Sequence, residues 1–139
     1  MVAGGSTVKP TVDTVAFIVT RGESILVERR SIEKETDPGA VAIPGGHVEE
    51  GETLAEACWR ELAEELGLIC DDFKFVIQLP HSTPVEDHNV HYFHARDWTG
   101  EPVPNEADEI LWIGSNEMDT LTFEIDRAAV RKLLRAPSS

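Results

Sequence analysis

The segment 45–68 constrains the fold most strongly, because a glycine-rich turn leads there into a helix with clear ends. Thr53 and Glu56 have the spacing of a capping box, in which a hydroxyl and a carboxylate satisfy free amides at a helix start. Gly67 is a natural C-terminal stop, so a helix capped by Thr53 and ending at Leu66 is predicted. One apolar stripe follows from residues at three- and four-residue steps: Ala55, Cys58, Leu62 and Leu66.

The polar face of this helix carries three carboxylates close together. Glu61, Glu64 and Glu65 are three and four residues apart, so they are neighbours that repel each other and cost stability. One interpretation is a solvated face with favourable pairs such as Arg60 with Glu64. The other is a bound cation, because oxygen-rich clusters suit hard divalent ions such as magnesium or manganese. Such ions bridge to phosphate oxygens and help to generate a hydroxide nucleophile.

Apolar and β-branched segments on both sides of this helix predict a sheet. Strands are expected at 11–20, 25–29, 40–43, 73–79, 90–95 and 110–113, and a second amphipathic helix at 125–134. The polar segment 81–89 is expected to join two of these strands. This order suits one layered α/β or α+β domain, placed at residues 11–136, behind a flexible tail of residues 1–10.

The composition limits the classes of partner. A net charge of -14 argues against non-specific nucleic-acid binding, which needs a basic surface. An acidic chain that binds a phosphate ester must do so through metal ions or a few local basic residues. No apolar run approaches the roughly 20 residues that span a bilayer, so no membrane partner is expected. Residues 1–10 lack signal-peptide features, and Cys58 and Cys70 form no metal-type pair, which favours a reduced, cytoplasmic setting.

The residues from Gly46 to Leu68 resemble the Nudix box, G-x5-E-x7-R-E-U-x-E-E-x-G-U, in which U is aliphatic. All fixed positions match: Gly46, Glu52, Arg60, Glu61, Leu62, Glu64, Glu65, Gly67 and Leu68. The upstream strand-turn-strand and the downstream segment 100–112 are also similar to the family, so the resemblance covers nearly the whole chain. It implies the α/β Nudix fold, a mixed β-sheet sandwiched between α-helices. It also implies a MutT-like hydrolase that cuts a phosphoanhydride bond in a nucleoside diphosphate derivative.

The resemblance further implies a metal site. Its ligands would be Glu61, Glu64, Glu65 and the carbonyl of Gly45, and its ion magnesium, with manganese as the alternative. Glu52 and Gly46 would support the site, and Arg60 would orient the carboxylates while counting among the catalytic residues with Glu61 and Glu64.

Many members of the family use a further glutamate from outside the box, as a metal ligand or general base. Glu106 is the best match, because it follows the Gly100–Pro102 turn and precedes the last strand. Glu109 and then Glu86 are the alternatives. Each of the three is otherwise a solvated loop carboxylate.

Two residues are candidates for substrate binding. Arg29, at the end of the second strand, is placed to pair with a phosphate, or else is an exposed strand-end arginine. His47 directly follows the double glycine and is placed to reach the phosphates, although a polar loop residue needs no such role.

Three histidines, His88, His91 and His94, raise the question of zinc. Side chains alternate along a strand, so His91 should point away from the other two. His88 and His94 would lie about 20 Å apart on an extended strand. One zinc ion is therefore not expected to bind all three.

The preferred substrate is a small-molecule nucleotide, and the preferred activity is that of a nucleoside triphosphate pyrophosphatase. The alternative is ADP-ribose, because Pro84 lies where some ADP-ribose-cleaving members have a proline; those enzymes usually carry an added N-terminal segment. Dinucleoside polyphosphate hydrolases of the family have a characteristic tyrosine, and Tyr92 lies too far along the chain to match it. An isoprenoid diphosphate isomerase of this fold needs a catalytic cysteine in a strand pocket, whereas Cys58 lies on a predicted helix and Cys70 follows that helix. A non-catalytic nucleotide sensor of the family would usually have lost some of the box carboxylates, whereas this chain keeps all of them. The oligomeric state stays open, with a homodimer considered.

Overall fold

A computed structural model describes residues 8–34 and 37–135, which form a mixed seven-stranded sheet with helices on both faces. The elements are β1 (Thr11–Arg21), β2 (Ser24–Arg29), β3 (Val41–Ala42), β4 (Gly45–His47), α1 (Leu54–Leu66), β5 (Asp72–Ser82), β6 (Asp87–Arg96), β7 (Glu109–Ile113), a 3₁₀ helix (Ser115–Thr120) and α2 (Glu124–Arg135). The predicted fold, a mixed sheet sandwiched between helices, is confirmed. In the part of the chain that the structure describes, neither helix is long and apolar enough to cross a membrane.

Strand β1 lies at the centre of the sheet and changes partners along its length. It pairs in parallel with β6, from Thr11 opposite Asp87 to Val19 opposite Ala95. On its other side its first half pairs antiparallel with β4 and its end pairs with β2. Strand β2 continues the sheet to β3 and β7, and β6 continues it to β5. The sheet therefore divides beside β1, between β2 and β4.

The alternation of β1 distributes its side chains between two cores. Ile18 packs with Ala129 and Val130 of α2 in one core. Phe17 packs with Leu62 and the end of α1 in the other. Each fully buried side chain of this size contributes about 1.5–3 kcal/mol, so β1 anchors both helices to the sheet.

Helix α1 has the predicted bounds, but its buried stripe differs from the prediction. Thr53 and Glu56 form the capping box, and Gly67 ends the helix with a φ of 69°. Cys58 is fully buried, as expected for a small core residue. Ala55, by contrast, is exposed, and Ala57 is buried. The stripe is rotated by part of a turn because the sheet contacts the side of α1 that also carries Glu65.

Three further differences concern strands and a 3₁₀ helix. Residues 45–47, predicted as loop, form β4, because pairing with β1 orders a segment whose own composition disfavours a strand. Strands β5 and β6 extend into the predicted connection 81–89 and leave a short turn at 83–86. The 3₁₀ helix was not predicted.

The last two residues of the predicted tail contact the domain. Lys9 and Pro10, predicted to belong to the tail, contact the β5–β6 turn: the Lys9 ammonium donates to Ser82 at 2.7 Å, and the Asp87 amide donates to the Pro10 carbonyl at 2.9 Å. Residues 1–7 of the predicted tail, and residue 136 at the predicted domain end, lie outside the described residues.

Candidate active site

A cavity of about 550 Å³ opens between α1, the divided sheet and the start of α2. This volume suits a small ligand, since ligand pockets are usually about 300–1,000 Å³. Most of the residues predicted for the site line it: Gly45, Gly46, His47, Arg60, Glu61, Glu64, Glu65 and Glu106, together with the alternative Glu86. The fold thus brings the box and the loop before β7 to one place.

Arg60 on α1 connects the helix to the glycine-rich loop by hydrogen bonds. Its guanidinium donates to both carboxylate oxygens of Glu52, at 2.6 and 2.9 Å, and to the backbone carbonyl of His47 at 3.0 Å. It also donates to Glu64 Oε2 at 3.3 Å. The hydrogen bond from Arg60, followed by one from the Glu49 amide, lowers the pKa of Glu52 to about 2. Glu52 therefore stays ionised and orients Arg60.

The carboxylates behind Arg60 are partly dehydrated and close to one another. Burial, then the neighbouring charges of Glu28, Glu61 and Glu106, raises the pKa of Glu65 to about 10. Burial is also the largest cause that raises the pKa of Glu61 to about 7. Glu65 Oε2 is buried and has no hydrogen-bond partner among the described residues. An unpaired buried oxygen among several carboxylates is costly, and a cation would remove that cost.

This donor set fits a hard divalent ion. The carboxylates of Glu61, Glu64 and Glu65 line the same cavity as Gly45, and magnesium-type ions take oxygen ligands. Glu61 lies directly against Gly46: a Cβ added at Gly46 would be 1.6 Å from Glu61 Oε2. A side chain larger than hydrogen at Gly46 would therefore displace this carboxylate.

Glu28 is a site residue that the sequence interpretation missed. It is buried on β2, and burial raises its pKa to about 7, with the Glu106 charge acting in the same direction. The signal was a carboxylate inside the otherwise apolar strand segment 25–28. Arg30 and Asp126 also line the cavity and were missed.

Asp126 is held by two hydrogen bonds within the wall of the cavity. The Tyr92 hydroxyl donates to Oδ1 at 2.5 Å, and the Ile43 amide donates to Oδ2 at 3.1 Å. Burial raises the pKa of Asp126 to about 6.

Arg29 is not brought to the cavity, contrary to the prediction that it faces the site. Its guanidinium donates to Glu109 Oε1 at 2.7 Å, and neither residue is among the described residues that line the cavity. The physical reason is strand alternation, which turns Glu28 and Arg30 to the cavity and Arg29 away from it. Glu109 is accordingly removed from the carboxylate cluster, whereas Glu106 adjoins it.

The three histidines of β6 have separate partners. His91 Nε2 contacts Asp13 Oδ1 at 3.0 Å, and His94 Nε2 contacts the Thr20 hydroxyl at 3.0 Å. His88 instead joins His47 and Glu86 at the cavity: Glu86 Oε1 lies 2.7 Å from His47 Nε2 and 3.0 Å from His88 Nε2. Burial lowers the pKa of His88. This group was not predicted, since its members lie on β4, the β5–β6 turn and β6.

The chain is similar to known proteins along most of its length. The NUDIX domain family matches residues 9–134. An 8-oxo-dGTP diphosphatase of Haemophilus influenzae is 28% identical over 102 residues, which cover 73% of this chain and 74% of that protein. A CTP pyrophosphohydrolase of Escherichia coli K12 is 27% identical over 106 residues, covering 76% of this chain and 78% of that protein.

A solved structure agrees with the fold. The crystal structure of a MutT protein from Methanosarcina mazei superposes with a TM-score of 0.82 at 22% identity, over 91% of this chain and 95% of that chain. The match to the family spans nearly all the described residues, and the box carboxylates lie together in one cavity. The chain therefore belongs to the NUDIX family and is a Nudix hydrolase.

Proposed function

We propose that the protein is a magnesium-dependent nucleoside triphosphate pyrophosphatase, which uses water to split its substrate into a nucleoside monophosphate and pyrophosphate. The observation that carries this proposal is the carboxylate cluster in the cavity, which includes the buried Glu65 Oε2 that has no hydrogen-bond partner among the described residues. The names of the two relatives support a triphosphate substrate, and they differ in the base.

The metal ligands would be Glu61, Glu64 and Glu65, with the Gly45 carbonyl. When bound, magnesium neutralises the triphosphate and makes attack by water on phosphorus easier. Glu52 and Arg60 hold the helix and the glycine-rich loop in a fixed relation, so that the carboxylates are oriented before the substrate arrives.

Other side chains of the cavity would bind and activate the remaining groups. Glu106 would accept a proton from the attacking water or complete the metal site, and its nearness to Glu61 and Glu65 is the basis for preferring it. Arg30 and His47 line the cavity and would contact phosphate oxygens. Phe123 and Ile125, at the start of α2, would pack against the base.

A substrate panel with magnesium tests this function. It contains the common ribo- and deoxyribonucleoside triphosphates, 8-oxo-dGTP and ADP-ribose, with products identified by mass. We expect at least one triphosphate to give a monophosphate and pyrophosphate, with a higher kcat/KM than ADP-ribose. Glu64→Gln, which keeps the shape but removes a ligand charge, should abolish this turnover while the circular dichroism spectrum is unchanged. Preferential cleavage of ADP-ribose, or full turnover in excess chelator, would contradict the proposal.

A further inference from the structure

We propose that His47, Glu86 and His88 form a second metal site, which binds a divalent ion of the zinc class and is separate from the carboxylate cluster. One ligand atom from each residue lies within 4.8 Å of the others. Two imidazoles and one carboxylate are a ligand set that zinc uses in proteins, whereas magnesium prefers oxygen ligands alone. The two sites therefore differ in chemistry although they share a cavity.

The spacing of the donor atoms is close to what such an ion needs. Zinc bonds of about 2.0–2.1 Å at tetrahedral angles place ligand atoms about 3.3 Å apart. Glu86 Oε1 lies 2.7 Å from one imidazole nitrogen and 3.0 Å from the other. Small rotations of the side chains would therefore admit an ion between them.

His88 Nε2 is the observation that points most directly to a ligand. This atom is buried and has no hydrogen bond in the part of the chain that the structure describes, although Glu86 Oε1 is near it. Glu86 Oε1 also lies 2.7 Å from His47 Nε2, so one carboxylate oxygen faces both imidazoles. A bound ion would satisfy His88 Nε2, because a neutral imidazole nitrogen is a common metal ligand.

The three side chains are carried by backbone that is already fixed. His88 lies in β6 between its partners in β1 and β5, and the His47 carbonyl accepts the Arg60 hydrogen bond. Glu86 ends a tight turn in which its amide donates to the Thr83 hydroxyl and its carbonyl accepts from the Thr83 amide at 2.9 Å. Three protein ligands leave a fourth tetrahedral position open to the cavity, for water or a phosphate oxygen.

The test measures zinc binding directly and does not use turnover. The full chain is titrated with zinc at pH 7.5 by calorimetry, in magnesium sufficient to occupy the carboxylate cluster. We expect one zinc ion per chain in the wild type. Glu86→Gln and His88→Asn should each weaken binding by about a hundredfold or more, since even outer partners of metal ligands contribute about 10–100-fold.

Two variants serve as controls, and circular dichroism verifies that every variant is folded. His91→Asn changes a histidine of the same strand that faces Asp13, so zinc affinity should be unchanged. Glu64→Gln changes the other site, so zinc should still bind. Cobalt in place of zinc should give the strong visible bands of tetrahedral coordination in the wild type and His91→Asn, and lose them in His88→Asn. The proposal is overturned if the wild type shows no saturable zinc binding, if His88→Asn binds zinc equally well, or if only Glu64→Gln loses it.

Discussion

Glu65 places a carboxylate where a helix normally packs an apolar side chain against a sheet. It lies on the buried side of α1 next to Leu62 and Leu66, and only 8% of its surface is exposed. Without a cation, burial and neighbouring carboxylates keep it protonated near neutral pH. The residue therefore links the ionisation of the site to the stability of the fold.

This linkage predicts how the stability of the metal-free protein depends on pH. The folded pKa is raised from 4.5 to about 7 for Glu28 and Glu61 and to about 10 for Glu65. Above pH 4.5 the folded state therefore binds more protons than the unfolded state, and this stabilisation is lost as the pH rises towards 7 and beyond. In excess chelator, we expect the melting temperature to be lower at pH 8 than at pH 5.5.

Glu65→Gln is the matched variant, because an amide of the same shape does not titrate. It should reduce the dependence of the melting temperature on pH over this range. An equally steep dependence in Glu65→Gln and in the wild type would show that the linkage arises elsewhere.

Glu106 is predicted to act in the chemical step. Glu106→Gln should lower kcat far more than it changes KM, because a group that acts mainly in the transition state shows that pattern. The expected loss is about a hundred- to ten-thousand-fold, typical of general acid-base catalysis. Steady-state kinetics on the best triphosphate of the panel would measure it.

Glu109→Gln is the control for Glu106, since Glu109 carries the same group but pairs with Arg29 away from the cavity. Its kcat should stay within about tenfold of the wild type, as for most surface substitutions. A large loss in Glu109→Gln with an active Glu106→Gln would transfer the role to Glu109.

At the scale of elements, β4 shows how two adjacent glycines have different functions. A Cβ at Gly45 would meet the Val15 carbonyl at 2.1 Å, so Gly45 permits β4 to pair closely with β1. A Cβ at Gly46 would meet the flexible end of Glu61 instead. The first glycine serves the sheet, and the second leaves room for a carboxylate.

Substitution by alanine should separate these two roles. Gly45→Ala must displace backbone and should lower the free energy of unfolding by about 1–3 kcal/mol, the usual cost of overpacking. Gly46→Ala should leave the melting temperature nearly unchanged but reduce turnover, because the Glu61 carboxylate moves. Denaturant melts and kinetics on both variants measure this, and a stable Gly45→Ala beside an unfolded Gly46→Ala would reverse the assignment.

The sequence predicted local features well and long-range ones poorly. The ends of α1 were predictable because Thr53, Glu56 and Gly67 act within a few residues of the helix. Strand β4 was not, because its order depends on pairing with β1 and glycines alone do not favour a strand. The orientation of α1 was slightly wrong for the same reason, since the sheet decides which side is buried.

The same distinction holds for the candidate site. The box carboxylates could be placed beside one another because their spacing on one helix is a local property. Glu28 and His88 could not, because each reaches the cavity from a different strand and neither belongs to a contiguous motif. Arg29 was misplaced by one residue, which on a strand is enough to turn a side chain to the opposite face.

At the scale of the whole molecule, the net charge of -14 and the acidic cavity predict stabilisation by divalent ions. A ligand that binds only the folded state stabilises it by about 2.7 kcal/mol at a hundred times its Kd. We expect magnesium to raise the melting temperature in a saturable manner. Sodium chloride of equal ionic strength should raise it less, and Glu64→Gln should lose most of the difference; equal effects of both salts would indicate screening alone.

The parallel pairing of β1 with β6 has a consequence for how the chain acquires its fold. Thr11 pairs with Asp87, so one partner of the central strand is synthesised much later than the strand itself. At roughly 5–20 residues per second, the apolar side chains of β1 lack the neighbours that β6 supplies for several seconds. Such distant pairing also slows folding, because closing a long loop costs conformational entropy before any stabilising contact forms. The ribosome-bound chain should therefore depend on chaperones during this interval, and a fragment ending before Asp87 should aggregate.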